Sequence, residues 1–200
     1  MAQLHLRERT LDAPLGVFVM GVINATKDSF WEESRGGIER AQRLIAEGAD
    51  ILDIGGESSR PGSAYVSADE ETARIIPLIQ AVRRISDIPI SVDTRKASVM
   101  QAALEAGADI LNDISALEDD AALPELAAQA EIPVILMHKR GTPKTMQQNT
   151  AYRDVFSEVD RYLSARIAFA EQRGIKKEKI FVDPGIGFGK DTAGNAALIH

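Results

Sequence analysis

The chain has 200 residues, of which 44% are hydrophobic and 26% are charged, and its formal net charge is −7. This size and composition indicate one soluble globular domain, and an acidic balance without a long basic run excludes a nucleic-acid-binding surface. The chain contains no cysteine, which excludes disulfides, thiolate catalysis and cysteine-based zinc sites and suits a reducing cytoplasm. No apolar run approaches the roughly 18 residues that span a bilayer, and Met1–Arg9 has no apolar core, so we expect neither a membrane span nor a signal peptide.

Short apolar runs that end near a polar residue are predicted to be β-strands. These runs are Val17–Asn24, Ile51–Ile54, Ile90–Asp93, Ile110–Ile114, Val134–His138 and Ile180–Asp183. The segments between them have helical periodicity, and the clearest are Ile38–Glu47, Glu70–Ile85, Lys96–Ala106 and Tyr152–Arg173. Pro77 is expected to kink the second helix or to mark its effective start. The last helix is expected to bury one face, formed by Tyr152, Val155, Phe156, Val159, Leu163, Ile167 and Ala170.

The alternation of strands and helices predicts right-handed βα units around a parallel sheet. The segment Gly48–Ile54 recurs almost unchanged as Gly107–Ile114, which is typical of repeated βα modules. A doubly wound sheet is one possible arrangement. Polar residues recur at nearly every strand end, however, and a ring of polar strand ends around one mouth favours a TIM (β/α)8 barrel. They are Asn24, Asp53, Asp93, Asn112, His138 and Asp183.

Closure of such a barrel needs eight strands, and the sequence supplies six candidates. We therefore expect residues 1–200 to form a single barrel domain that lacks its last two βα units.

The stretch Ile180–Lys190 is the most informative part of the sequence. A strand ends on Asp183, and a proline, three alternating glycines and Lys190 follow. The glycines allow the backbone to approach a flat or anionic ligand closely. The alternative is an ordinary βα loop in which Asp183 caps a helix.

Two loops that follow the first and second strands carry further ligand-binding chemistry. In Asn24–Phe30, the amide of Asn24 and the carboxylate of Asp28 suit Mg²⁺ with a pyrophosphate, and Phe30 can cover a planar substrate. In Asp53–Gly62, paired glycines, hydroxyls and Arg60 suit an anion. Each loop could instead be a polar turn that caps the next helix.

The strand ends also predict a recognition site for a polar ring. Asp93, Asn112 and Asp183 supply two acceptors and an amide, which match the donor edge of a guanidine-like or aminopyrimidine ring. The alternative for each is a helix cap. His138 is expected to be structural, because nothing in the sequence supplies a nucleophile–base pair.

Taken in order, these motifs resemble the dihydropteroate synthase family. The matching stretches are Asn24–Phe30, Asp53–Gly62, Ser91–Thr94, Asn112–Ile114, Met137–Pro143 and Asp183–Lys190. The resemblance implies a TIM-barrel transferase that joins 6-hydroxymethyl-7,8-dihydropterin pyrophosphate to p-aminobenzoate in folate biosynthesis, giving 7,8-dihydropteroate and pyrophosphate. It also implies Mg²⁺, a homodimer and inhibition by sulfonamides, while the absence of cysteine predicts a cytoplasmic location.

The resemblance assigns roles residue by residue. Asp93, Asn112 and Asp183 would hold the pterin between Ile114 and Met137 as apolar walls. Asn24 and Asp28 would serve Mg²⁺ and, with Arg60, the departing pyrophosphate. The residues that would frame p-aminobenzoate are Phe30, Ser59, Arg60, Pro61, Phe188 and Gly189. Because the electron-rich dihydropterin can share a developing cation, pyrophosphate departure is expected to precede arylamine attack.

The sequence departs from the family pattern at several positions. Lys27 stands where proline is usual, Ser59 replaces threonine, and Trp31–Glu33 replaces a smaller segment. The family's Ser-Arg-Lys triplet and late Arg-x-His motif would belong to the seventh and eighth strands. Two other readings stay open: a pterin-binding methyltransferase of the corrinoid type, and a non-catalytic or truncated pterin-binding paralogue.

Overall fold

The computed structural model describes residues 2–13, 15–25, 34–58, 63, 65–141, 145, 146 and 149–199. A short antiparallel hairpin precedes parallel strands that alternate with helices. The strands are β1 Ala2–His5, β2 Thr10–Ala13, β3 Met20–Asn24, β4 Ile51–Gly55, β5 Ile90–Asp93, β6 Ile110–Asp113, β7 Val134–Met137 and β8 Ile180–Asp183. The helices are α1 Ser34–Ala46, α2 Ala68–Arg83, α3 Ala97–Ala106, α4 Leu123–Gln129, α5 Val155–Gln172 and α6 Thr192–Ile199, with a 3-10 turn at Lys177–Lys179.

The main sheet has the strand order of a TIM-type barrel. Its strands follow one another from β3 to β8, and each pairs in parallel with its neighbour in the chain. A doubly wound sheet would instead reverse its winding at a switch point. The structure therefore contains six consecutive βα units of the predicted barrel fold.

The outward faces of the strands form the larger core. Leu52, Ile54, Ile90, Val92 and Leu111 are almost completely buried in the cluster that contacts the surrounding helices. Strand side chains alternate between two faces, so the neighbouring residues point to the barrel interior. This alternation determines which residues can reach a ligand.

The barrel interior is closed at the amino ends of its strands by an apolar cluster that we call the floor. It consists of Leu4 and Leu6 from the hairpin segment with Ile51 and Ile110 from the barrel. The hairpin is held there by polar contacts, since Lys179 Nζ lies 3.5 Å from the carbonyl oxygen of Leu6. This hairpin was not predicted, because each of its strands has only four residues and no sustained alternation.

The structure corrects several predicted helix features. Helix α2 begins at Ala68 and continues through Pro77, so the proline does not mark its start. Helix α5 begins at Val155, where Asp154 Oδ1 accepts a hydrogen bond from Ser157 N at 3.1 Å. Phe156 was expected on its buried face but is 65% exposed, whereas Val159, Leu163 and Ala170 are buried as predicted. Helix α4 was not predicted, because its seven residues are too few for a clear period.

Within the residues that the structure describes, no helix combines the length and apolar character needed to cross a membrane.

Candidate functional site

Polar side chains gather at the carboxyl ends of the strands, and we call this end the mouth. It is lined by Asn24, Asp53, Asp93, Asn112 and Asp183. In the strand register, Asp93 stands opposite both Gly55 and Asn112, and Met137 stands opposite Asp183. The three residues predicted to recognise a polar ring therefore lie at one edge of one sheet.

Asp53 and Asn112 form a direct polar contact across the interior. The amide nitrogen Nδ2 of Asn112 lies 3.3 Å from Oδ1 and 3.2 Å from Oδ2 of Asp53. Because the NH₂ group donates to Asp53, the amide oxygen of Asn112 is left to accept a hydrogen bond from a ligand. Burial raises the pKa of Asp53, and the hydrogen bond from Asn112 partly offsets that rise.

Asp93 lies in the most acidic surroundings of the mouth. Burial raises the pKa of its carboxyl well above the ordinary value, and the negative charges of Asp53 and Glu71 raise it further. A ligand that offers N–H donors would satisfy this carboxylate and favour its ionised form. The position therefore suits the donor edge of a ring.

Asp183 ends β8 and shapes the turn that follows. Its Oδ1 accepts a hydrogen bond from Gly185 N at 2.7 Å, and its carbonyl oxygen accepts one from His138 N at 2.9 Å. Gly185 has a φ of +68°, and a Cβ there would overlap the carbonyl oxygen of His138. Only glycine fits at this point, because the loops after β7 and β8 touch through their backbones.

An ion-pair network supports the loops after β4 and β5. Glu57 binds Arg95 at 2.6 Å and also binds Lys96, whose ammonium lies 2.5 Å from Glu71. Burial lowers the pKa of Lys96, but the bonds to Glu57 and Glu71 outweigh this effect and the net change is upwards. Glu71 is fully buried, so losing Lys96 would leave a costly unpaired charge.

The turn after β6 positions Ile114, the predicted apolar wall. The fully buried Asp113 accepts hydrogen bonds from Ser115 N and Leu117 N, both at 2.7 Å. Leu117 and the residue before it have positive φ values of 65° and 50°. Arg166 on α5 donates to both of their carbonyl oxygens, which holds this unfavourable turn from outside the barrel.

The remaining predicted site residues fall into two groups. Among those described, Asn24 is exposed at the end of β3, Ile114 and Met137 are buried at the mouth, Phe188 is half-buried and Gly189 is buried. The others lie outside the residues that the structure describes: Asp28, Phe30, Ser59, Arg60 and Pro61.

Some contributors were not assigned a role from the sequence. Asp53 was noted as a polar strand end, but its contact with Asn112 was not expected. The alternation of side chains along β4 could have revealed that Asp53 points inward. Residues two apart on a strand lie on the same face, and Ile51 belongs to the floor inside the barrel. Lys96 pairs with Glu71, and Lys190 reaches the carbonyl oxygen of His138; both partners come from distant segments, and no local signal in the sequence identifies them.

Within the described chain, the mouth offers hydrogen-bond acceptors rather than a nucleophile. His138 is buried, and among the described residues its Nδ1 has no hydrogen-bond partner. Burial lowers its pKa to about 4, and the charges of Lys190 and Arg140 contribute, so the ring is neutral near pH 7. The arrangement is therefore suited to binding and orienting a ring.

Comparison with known proteins identifies this arrangement. A model of the family described as "Pterin binding enzyme" matches residues 20–200. Dihydropteroate synthase of Escherichia coli (strain K12) is 47% identical over 189 residues, which cover 90% of this chain and 66% of that enzyme. The chain thus spans slightly less than two thirds of the length of this relative.

Solved structures that resemble this chain are also dihydropteroate synthases. Yersinia pestis dihydropteroate synthase in complex with a sulfonamide drug is 40% identical and superposes with a TM-score of 0.89, covering 99% of this chain and 73% of that one. Burkholderia cenocepacia dihydropteroate synthase complexed with 7,8-dihydropteroate is 42% identical with a TM-score of 0.87, covering 99% and 69% respectively. The chain therefore belongs to the pterin-binding enzyme family, in which these relatives are dihydropteroate synthases.

Proposed function

We propose that this chain forms the pterin-binding part of a dihydropteroate synthase. The reaction would condense 6-hydroxymethyl-7,8-dihydropterin pyrophosphate with p-aminobenzoate, giving 7,8-dihydropteroate and pyrophosphate for folate biosynthesis. The observation that carries the proposal is the set of polar side chains at the mouth. Asn112 stands opposite Asp93 in the sheet and is hydrogen-bonded to Asp53. Asp183 ends β8 at the same edge.

The pterin would bind through its donor edge. Asp93 and Asp183 would accept from its N–H groups, and the amide oxygen of Asn112 would accept a further hydrogen bond. Ile114 and Met137, both buried at the mouth, would contact its faces. Loss of one acceptor would leave a donor unpaired, which costs more than a hydrogen bond normally contributes.

The arylamine would lie above the pterin. Phe188 and Gly189, from the turn after β8, would frame p-aminobenzoate together with Phe30, Ser59, Arg60 and Pro61. The sulfonamide complex of the Yersinia pestis relative supports the expectation that sulfonamides compete for this position.

The site also suits Mg²⁺. Among the described residues no cluster of three or more acidic or histidine side chains could hold a metal ion alone. Mg²⁺ commonly binds through one or two protein oxygens together with substrate phosphates and water, so Asn24 and Asp28 would hold it with the pyrophosphate. When bound, it would neutralise charge on the leaving group.

The protein would act mainly by orientation and electrostatics. Departure of pyrophosphate leaves a cation that the dihydropterin ring shares, and ionised Asp93 would stabilise this charge. Phe188 and Gly189 would then hold the arylamine nitrogen in line with the pterin methylene carbon. Asn24, Asp28 and Arg60 would be the catalytic group that receives the leaving pyrophosphate.

We further propose that the active protein is a homodimer, as the family resemblance implies, and that it is cytoplasmic, which suits a chain without cysteine. Size-exclusion chromatography with light scattering on the complete gene product would measure the oligomeric state.

Replacement of the two carboxylates tests the pterin site. Asp93→Asn and Asp183→Asn should each weaken binding of dihydropterin pyrophosphate by about 1–3 kcal/mol, because a ligand donor loses a charged acceptor. Asp160→Asn, at an exposed position of α5, is the matched control and should leave the affinity unchanged. Calorimetry on the complete gene product measures both, and parental affinity in the two site variants would contradict the proposed pocket.

The reaction itself is tested with dihydropterin pyrophosphate and labelled p-aminobenzoate. Formation of dihydropteroate and pyrophosphate in equal amounts supports the synthase. Binding without turnover would indicate a non-catalytic paralogue, and methyl transfer to a corrinoid would indicate the methyltransferase.

A further inference from the structure

Lys190 is a buried lysine that joins two loops of the mouth. Its side chain is almost inaccessible, and its ammonium donates to the carbonyl oxygens of Gly185 at 2.9 Å, Phe188 at 3.1 Å and His138 at 3.4 Å. Three N–H donors therefore meet three carbonyl acceptors. His138 follows β7 and the other two acceptors follow β8, so the ammonium connects both loops.

Other contacts bring the same loops together. The hydroxyl of Tyr152 donates to the carbonyl oxygen of Gly189 at 3.0 Å, and the Arg140 guanidinium stacks 3.5 Å from the centre of the Tyr152 ring. A Cβ at Gly189 would lie 2.9 Å from Cβ of Arg140, which shows how closely the chains approach.

The turn needs such external support. Gly185, Gly187 and Gly189 all have positive φ, a region that glycine adopts as readily as many other conformations. Gly185 N donates to Asp183 Oδ1 at 2.7 Å and Phe188 N donates to Gly185 O at 3.0 Å, while Gly187 N donates out of the turn to Asn195 Oδ1 on α6 at 2.8 Å. The ammonium of Lys190 donates to the carbonyl oxygens of both Gly185 and Phe188, the two residues that the Phe188–Gly185 hydrogen bond joins.

We propose that protonated Lys190 is a positioning residue that fixes the turn after β8 on the loop after β7 and thereby places Phe188 and Gly189 for the arylamine substrate. This inference rests on the proposed function, because it concerns the affinity for p-aminobenzoate. Lys190 itself does not need to touch either substrate.

The charges around Lys190 make this role sensitive to pH. Burial lowers its pKa to about 8; Asp183 on β8 acts against that change and Arg140, after β7, adds to it. A neutral amine has two hydrogens to donate, so deprotonation releases one of the three carbonyl oxygens. Three other titratable groups lie near Lys190, and none of them titrates near pH 8. The pKa of His138 is about 4, and the pKa of Tyr152 is raised above its ordinary value of 10. The pKa of Glu158, which pairs with Arg140, is lowered.

Lys179 provides a matched control at the opposite end of the barrel. It is also buried, and its ammonium donates to the carbonyl oxygens of Leu6 and Glu131. Replacing either lysine by methionine keeps the length of the side chain and removes the donors, but only Lys190 lies at the mouth.

The test compares Lys190→Met and Lys179→Met in the complete gene product. At pH 7, Lys190→Met should raise the KM for p-aminobenzoate about five- to tenfold and leave the Kd for the pterin within about twofold, because only the arylamine side loses its support. Lys179→Met should leave both constants unchanged. An equal rise of KM in the two variants, or a pterin Kd that rises as much as the KM, would overturn the inference.

The pH profile distinguishes positioning from a general loss of stability. Between pH 7 and pH 9, the parental KM for p-aminobenzoate should rise about fivefold towards the value of Lys190→Met, whose own KM should stay flat. A parental KM that does not change with pH, or a pH dependence that persists in Lys190→Met, would overturn the inference.

Amide hydrogen exchange tests the same point without turnover or a variant. The protection factors of Gly187 and Phe188 in the parent protein should fall about tenfold from pH 7 to pH 9, while amides of β5 and β6 stay protected. Unchanged protection at Gly187 and Phe188 would overturn the inference even if the protein makes dihydropteroate. Absence of dihydropteroate together with the expected exchange would instead refute the proposed function alone.

Discussion

At the amino ends of the barrel strands the interior is filled by Leu4, Leu6, Ile51 and Ile110, whereas two residues further along the same strands it carries Asp53 and Asn112. Ile51 and Asp53 lie on β4, and Ile110 and Asn112 lie on β6, so within the main sheet the two layers differ only in height along the strands. The floor gains free energy from apolar burial, and the mouth keeps polar groups whose burial is unfavourable until a ligand binds them. Stability and recognition are therefore separated along the barrel axis.

The largest effect that tests this separation is expected at the floor. Ile110→Ala should lower the free energy of unfolding by about 2–5 kcal/mol, because Ile110 is only 1% exposed and its removal leaves a cavity. The affinity for the pterin should not change when it is measured under conditions in which the variant is fully folded. Chemical denaturation and calorimetry measure the two quantities.

The matched control is Ile85→Ala, since this isoleucine is 49% exposed. It should cost much less than Ile110→Ala. A loss of pterin affinity in folded Ile110→Ala protein would show that the floor and the mouth are coupled.

The next effect concerns acid sensitivity, which we expect to arise at the mouth. Burial lowers the pKa of His138 to about 4 in the folded protein, whereas in the unfolded chain the imidazole has its ordinary pKa of 6.5. Below pH 6.5 the unfolded state therefore binds a proton that the folded state does not, and stability falls until about pH 4. His138→Phe should remove this contribution, which is about 3–3.5 kcal/mol, because the pKa differs by about 2.5 between the two states and each pKa unit is worth about 1.4 kcal/mol.

The measurement is the difference in unfolding free energy between the parent and His138→Phe as a function of pH. The variant should gain on the parent as the pH falls from 6.5 to 4, and the difference should be constant above pH 8. A difference that does not vary with pH would mean that His138 takes up its proton equally in both states.

The smallest effects come from two aspartates at opposite ends of the strands. Asp53→Asn should weaken pterin binding about tenfold, because the orientation of Asn112 is no longer fixed, and it should not lower stability, because a buried charge is removed. Asp109→Asn should leave pterin binding unchanged and lower the free energy of unfolding by about 1–2 kcal/mol. The reason is that Asp109 pairs with Arg83 and accepts a hydrogen bond from Ile90 N at 2.9 Å.

Calorimetry and denaturation of both variants provide the check. If Asp53→Asn binds pterin as the parent does, Asn112 is oriented by something other than Asp53.

The sequence was sufficient to predict the barrel and the strand ends at which Asp93, Asn112 and Asp183 stand, because both depend on local signals. Apolar runs that end on Asp93, Asn112 and Asp183 are visible without knowledge of distant contacts. The exposure of Phe156 and the burial of Lys190 were not predictable in this way. They depend on which segments pack against each residue, and helical periodicity or residue type does not determine that.

The hairpin has a consequence for the order in which the protein can assemble during synthesis. The carbonyl oxygen of Leu6 accepts a hydrogen bond from Lys179, which lies 173 residues later in the chain and is therefore made long after it. Ile110 of the floor is also made long before Phe181, which packs against the same cluster. The floor can therefore close only after β8 has been synthesised, and closing so long a loop carries a large entropic cost. During translation, Leu4 and Leu6 therefore cannot complete the floor until Lys179 and Phe181 have been made.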